Sequence, residues 1–237
     1  MSIIVVGSSK GGSGKSTLCT NLIARHLATG ATSLLLDGDA QRSSSSWAAT
    51  RDQYGVAPEV VSMEKLGPDL KRSALEMGKH YDAVFIDVPG NNSPELRAAL
   101  LVADLLVYPI RPSNFDAWVF HSDMTELVSS ARTYNESLRV MLVMNGLAPA
   151  PAERQQQILS LREYLADYSG FYLSPHFLCH RNAFIAAIKE GRGVVEMAGR
   201  NESLGKAKLE LDAVYSDAMK TLAGARPAAY LQQEISQ

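Results

Sequence analysis

The chain has 237 residues, of which 46% are hydrophobic and 20% charged, an ordinary balance for a soluble globular protein and enough for one α/β domain with a full core. Its net charge of −2 gives no global positive field for nucleic acid, so any DNA affinity is expected to come from a local patch. No apolar stretch is long enough to span a bilayer and no basic leader precedes the first strand, while Cys19 and Cys179 show no metal spacing, so the expectation is a cytoplasmic protein with two core thiols.

In chain order, Ile3–Gly7 reads as a buried strand and Ser16–Ala28 as a helix ended by Gly30. Between them lies Ser8-Ser9-Lys10-Gly11-Gly12-Ser13-Gly14-Lys15-Ser16-Thr17. Strand, glycine-rich turn and helix are the context of a phosphate-binding loop. Gly11, Gly12 and Gly14 let backbone N–H groups converge on phosphate oxygens, with Ser13 and Thr17 in the same cradle. The helix start adds its dipole. Lys15 is expected to reach the β- and γ-phosphates of ATP, and the Ser16 hydroxyl to ligate Mg²⁺. The common pattern G-x-x-x-x-G-K-[ST] wants glycine where this chain has Ser9, and Lys10 follows.

Further strands are expected at Ser33–Leu36, Ala83–Ile86, Leu105–Pro109, Val140–Met144 and Phe171–Leu178, with a short one at Glu59–Val61. Helical patterns fall between them, near Ser43–Tyr54, Leu66–Met77, Pro94–Ala103, Ala117–Thr133 and Ala152–Asp167, then at Ala183–Glu190 and Ser203–Leu222. Apolar strands alternating with helices predict an α/β, doubly wound, mainly parallel sheet with helices on both faces, the P-loop NTPase architecture, with ligands at the carboxyl ends of the strands. Residues 1–225 read as one such ATPase domain and residues 226–237 as a mobile tail.

Two acidic turns follow strands. Asp37-Gly38-Asp39-Ala40-Gln41 ends the second, and Asp87-Val88-Pro89-Gly90 ends the strand Ala83–Ile86. Asp87 fits the role of holding Mg²⁺, and Gly90 leaves its loop free to respond to the γ-phosphate.

The run Lys10-Gly11-Gly12-Ser13-Gly14-Lys15-Ser16 resembles the deviant phosphate loop of the ParA/MinD family of ATPases, and Asp37 to Gln41 resembles that family's D-x-D-P-Q turn with Ala40 in place of proline. Trp47, preceded by serines, is similar to the partition subgroup without an N-terminal DNA-binding domain. The resemblance implies that Lys10 crosses a dimer interface to the partner's nucleotide, that Asp39 positions or deprotonates the attacking water, and that Asp37 lies nearer the metal. It places Asn145 near the adenine base, although a strand-end asparagine is also a routine turn residue. The segment His176 to Arg181 is the other place where relatives hold the base.

Lys189, Arg192, Arg200, Lys206 and Lys208 gather in the last quarter of the chain, interrupted by glutamates. Such a run reads either as a solvated mixed face or, by resemblance, as a patch that binds DNA without sequence preference once doubled in a dimer. The end of the chain, Tyr230 to Gln237, has no lysine or arginine, so membrane targeting is not expected. The implied function is an ATP-dependent homodimer that partitions plasmids or other cargo with a ParB-type or other adaptor and associates with the nucleoid. An iron–sulfur reductase of the same fold would need cysteines in a loop after Asp87, which is not where they fall. A small-molecule kinase or ligase of the same fold would need no DNA.

Overall fold

A computed structural model describes residues 1–112 and 119–224. Seven parallel strands form one sheet: β1 (Ser2–Val6), β2 (Ser33–Asp37), β3 (Val61–Glu64), β4 (Ala83–Asp87), β5 (Leu105–Ile110), β6 (Arg139–Leu147) and β7 (Tyr172–Cys179). Their spatial order is β3-β2-β4-β1-β5-β6-β7. Helices α1 (Lys15–Leu27), α2 (Ser43–Gln53), α3 (Asp69–Met77) and α4 (Pro94–Leu100) connect the first half. After β5, a π-helical stretch Asp123–Val128 runs into α5 (Ser129–Arg132), followed by α6 (Pro151–Leu165), α7 (Asn182–Lys189) and α8 (Glu202–Leu222).

Strand alternation explains why both faces are covered. Successive side chains point to opposite sides of a sheet. Ile3 and Val5 of β1 join one apolar cluster with Leu70, Leu96, Phe120 and Leu161. Ile4 and Val6 join the other, with Leu18, Leu22, Trp47 and Leu211. The doubly wound sheet expected from the sequence is the one observed. The chain winds outward from the middle in both directions, with β2 and β3 beyond β4 on one side and β5, β6 and β7 on the other. Such a reversal of winding opens a crevice at the carboxyl ends of the central strands.

Two expectations shift. The short strand lies at Val61–Glu64 rather than Glu59–Val61, because it pairs Leu34 with Val61 through Asp37 with Glu64. It is an exposed edge strand with Val61 45% accessible, so no buried apolar run marked it. β6 runs through Asn145 to Leu147, so Asn145 sits inside a strand with an irregular register rather than at its end. The start of the helix expected at Ala117 and the tail from residue 226 lie outside the described residues.

One buried ion pair ties α2 to the segment before α8. Arg51, 1% exposed, donates to both carboxylate oxygens of Glu196 at 2.8 and 2.6 Å. It also donates to the carbonyls of Pro58 (2.9 Å) and Gly191 (3.0 Å). A buried charge that loses its partner is strongly destabilising. Glu196→Ala is therefore expected to lower the unfolding free energy by about 3–5 kcal/mol in urea titrations at neutral pH, and Glu196→Gln by less. A loss below about 1 kcal/mol for Glu196→Ala would mean that the two carbonyls alone hold Arg51.

Candidate nucleotide site

β1 ends at Val6 and α1 begins at Lys15, so the loop between them crosses the carboxyl edge of the sheet. The N-cap of α1 is Gly14, which has no side chain to bond the first N–H groups of the helix. Gly14 adopts φ 89°, and a Cβ there would come within 2.4 Å of the Asn145 amide nitrogen. That amide donates to the Ser13 carbonyl at 2.7 Å, so β6 holds the loop from the side.

Inside the loop the Lys10 carbonyl gathers the donors. The Lys15 ammonium donates to it at 2.9 Å, and the Ser8 and Ser13 hydroxyls approach it at 3.4 Å. Lys15 is buried, and burial pulls its pKa below the ordinary lysine value against the opposing charges of Asp87, Asp39 and Asp123. The Lys10 residue itself is half-buried. The loop after β4 lies against the phosphate loop: a Cβ on Gly90 would meet Gly11 Cα at 2.7 Å and Lys15 Nζ at 2.8 Å. Only glycine fits this close approach of two backbones.

The acidic residues are brought together by strand register. Asp87 pairs with Val6 on one side and with Asp37 on the other. The Gly38 N–H donates to the Asp87 carbonyl at 2.8 Å, which links the two acidic turns. The Asp37 carboxylate accepts from the Asp39 N–H (3.0 Å) and from the Ser45 N–H (2.8 Å), so it shapes its own turn and caps the start of α2. Asp39 accepts from the Gln41 N–H at 2.9 Å, closing the turn that Ala40 leaves without proline. Arg42 then takes φ 54°, a left-handed conformation uncommon outside glycine.

Asp87 is fully buried, and neither carboxylate oxygen has a hydrogen-bond partner among the described residues. Burial pushes its pKa up to about 7, and the charge of Asp37 adds to the rise. The nearby Ser16 and Ser44 hydroxyls and Lys15 draw it down, but neither hydroxyl reaches hydrogen-bonding geometry. An orphaned carboxylate beside a hydroxyl at the first turn of a phosphate-loop helix is a hard-oxygen donor set that fits Mg²⁺. Among the described residues no group of three His, Cys, Asp or Glu side chains is arranged around a metal. Mg²⁺ here would lean on Ser16, Asp87 and the nucleotide's own oxygens, and would supply charge neutralisation of the phosphates.

Next to Gly14 and Thr17 opens a cavity of about 240 Å³, lined also by Arg111, Asn145, Leu178, Arg181 and Phe184. Arg181 ends the segment that relatives use to hold the base, and here its guanidinium is engaged by Glu210 at 3.0 and 2.6 Å. Two residues of this region were missed in the sequence. Arg111 follows β5 at the carboxyl edge, a position that alone could have flagged it. Asp123 grips Ser9 from a separate helix, with no local motif to announce it.

The basic cluster is more committed than its sequence suggests. Lys206 pairs with Glu202, Arg192 with Glu190 at 3.4 Å, and Lys208 donates to the Met197 carbonyl at 2.7 Å. Lys189 and Arg200 are exposed and carry no ion pair among the described residues. Both cysteines are buried and free, and among the described residues no helix is long and apolar enough to cross a membrane.

A family model described as the CobQ/CobB/MinD/ParA nucleotide binding domain matches residues 4–203. The chain is 26% identical over 211 residues to the protein ParA of Rhizobium radiobacter, covering 87% of this chain and 91% of that one. It is 30% identical over 200 residues to the maintenance of carboxysome distribution protein A of Gloeobacter kilaueensis, covering 84% and 86%. Its fold superimposes on the ATP complex of a McdA variant from Cyanothece with a TM-score of 0.70, at 13% identity and 96% and 98% coverage.

The raised pKa of Asp87 has a measurable consequence. Between about pH 4 and 7 the folded protein holds a proton on Asp87 that the unfolded chain has released, so rising pH through that window destabilises the nucleotide-free fold. Asp87→Asn is therefore expected to melt several degrees above the parent near pH 8, with the gain vanishing toward pH 4. A difference independent of pH would show that Asp87 does not titrate in this range.

Proposed function

The chain belongs to the family of CobQ/CobB/MinD/ParA nucleotide binding domains, and from that premise we propose that it is a ParA-type ATPase that positions cargo on DNA. ATP closes two copies into a dimer, the dimer binds DNA without sequence preference, and an adaptor protein of the ParB type or another kind stimulates hydrolysis and release. The observation that carries this reading is that the Lys15 ammonium, folded onto the phosphate loop's Lys10 carbonyl, feels the charge of an Asp87 carboxylate that has no hydrogen-bond partner among the described residues. Lys15 and the loop amides from Gly11 to Thr17 hold the phosphates, Ser16 and Asp87 take Mg²⁺ with Asp37 behind them, and Asp39 orients the attacking water. Asn145, fixed on Ser13, borders the base cavity. Lys10 reaches the partner's nucleotide, where a second cation offsets the like charges of two facing triphosphates. The likeness to both a ParA and a carboxysome distribution protein supports a plasmid or a protein assembly as cargo. The place of work is the cytoplasm, on the nucleoid.

Lys10→Ala should bind nucleotide through Lys15 but stay monomeric in sedimentation with a non-hydrolysable ATP analogue, and its DNA binding should fall with dimerisation. Lys189→Ala and Arg200→Ala should dimerise normally and each reduce the salt slope of DNA binding by about one. Lys206→Ala should do the same once its Glu202 pair yields to phosphate, whereas Lys208→Ala should mainly loosen the start of α8. A Lys10→Ala protein that dimerises and binds duplex DNA like the parent would leave an ordinary phosphate-loop protein and remove the partition reading.

A further inference from the structure

We infer that Asp123 is a positioning residue for the phosphate loop, acting through Ser9; the inference rests on the nucleotide-binding reading above and deepens it. Ser9 stands where the common loop pattern has glycine. A glycine there would offer one donor, its N–H; serine adds a hydroxyl. Both are taken by the same carboxylate: the Ser9 N–H donates to Asp123 Oδ2 at 2.9 Å, and the Ser9 hydroxyl donates to Oδ1. A third donor, the Tyr108 hydroxyl of β5, reaches Oδ2 at 2.8 Å and fixes the carboxylate's orientation.

Asp123 is 4% exposed, so these bonds operate away from water, where a charge-assisted hydrogen bond is strongest and a broken one most costly. Its place in the fold is set one turn earlier. Phe120, fully buried, packs edge-on against Tyr108 (5.4 Å), Phe171 (5.1 Å) and Tyr168 (5.8 Å). Residues three apart share a helix face, so the aromatic anchor directs Asp123 to the same side. The helix widens to a π-turn from Asp123 onward, a departure often found at functional sites. The carboxylate is also close enough for its charge to reach Lys15.

The consequence for the loop is directional. With its first N–H and hydroxyl tied back to Asp123, the turn at Ser9 is fixed before a ligand arrives. The Lys10 carbonyl, hub of the loop's internal bonds, is set one residue later. The amides that follow Lys10 are then held ready to converge on phosphate. Ordering that chain on binding would otherwise cost conformational entropy.

The test is calorimetric titration of MgADP into the full-length parent, Ser9→Ala, Asp123→Asn, Asp123→Ala and the double variant, with melting temperatures recorded beside each. Asp123→Ala is expected to weaken MgADP about tenfold and Ser9→Ala about threefold, since the latter keeps the amide bond. The double variant should be no weaker than Asp123→Ala, and Asp123→Asn should fall between Asp123→Ala and the parent. A lower melting temperature with the parent's affinity would make Asp123 a core residue only and overturn the inference. Losses that multiply in the double variant would overturn the route through Ser9. If Asp123→Ala does not fold, parental affinity in both Ser9→Ala and Asp123→Asn overturns it, and weakening in both supports it. A parent that binds no MgADP would strike the nucleotide reading itself.

Discussion

The sheet holds Asp87 between Val6 and Asp37, buried from solvent and without a hydrogen-bond partner among the described residues. An isolated charge in such a place is costly, and the protein responds by favouring the proton on it. Its surroundings carry further charge. Lys15 is drawn inward to the loop carbonyl of Lys10, its charge opposed by three carboxylates. The Gly38 and Asp87 backbones are bonded together so that the two acidic turns cannot separate. A buried polar group without a partner calls for an explanation, and the proposed Mg²⁺ would give this carboxylate one.

The phosphate loop is held from three directions. β6 grips Ser13 through Asn145, the turn after β4 presses Gly90 onto Gly11, and the aromatic-anchored helix grips Ser9 through Asp123. These contacts come from distant parts of the chain. A loop built this way has little freedom of its own, which suits a site whose amides must be aimed before the ligand binds.

How much of this was legible in the sequence depends on whether the signal was local. The loop, the strand before it and the aspartate that ends β4 each carry a compact pattern, and the doubly wound sheet follows from buried apolar runs alternating with helices. β3 escaped accurate placement because an exposed edge strand lacks such a run. Asn145 was placed at a strand end because the apolar run stops at Met144, whereas the strand continues through it with an irregular register. Asp123 was invisible, because it meets its partner across 114 residues, whereas Arg111 had one signal, its place after β5 at the carboxyl edge of the sheet. The basic cluster was legible as charge but not as geometry, since only the folded chain shows that Lys206, Lys208 and Arg192 have partners within reach.

The central claim is that the orphaned Asp87 carboxylate is reserved for a nucleotide-bound metal. Calorimetric titration of preformed MgADP at pH 7, in buffers of different ionisation enthalpy, counts the protons exchanged on binding. With burial favouring a proton on Asp87 beforehand, the parent is expected to release more protons per site than Asp87→Asn. Equal proton counts for parent and variant would contradict the claim.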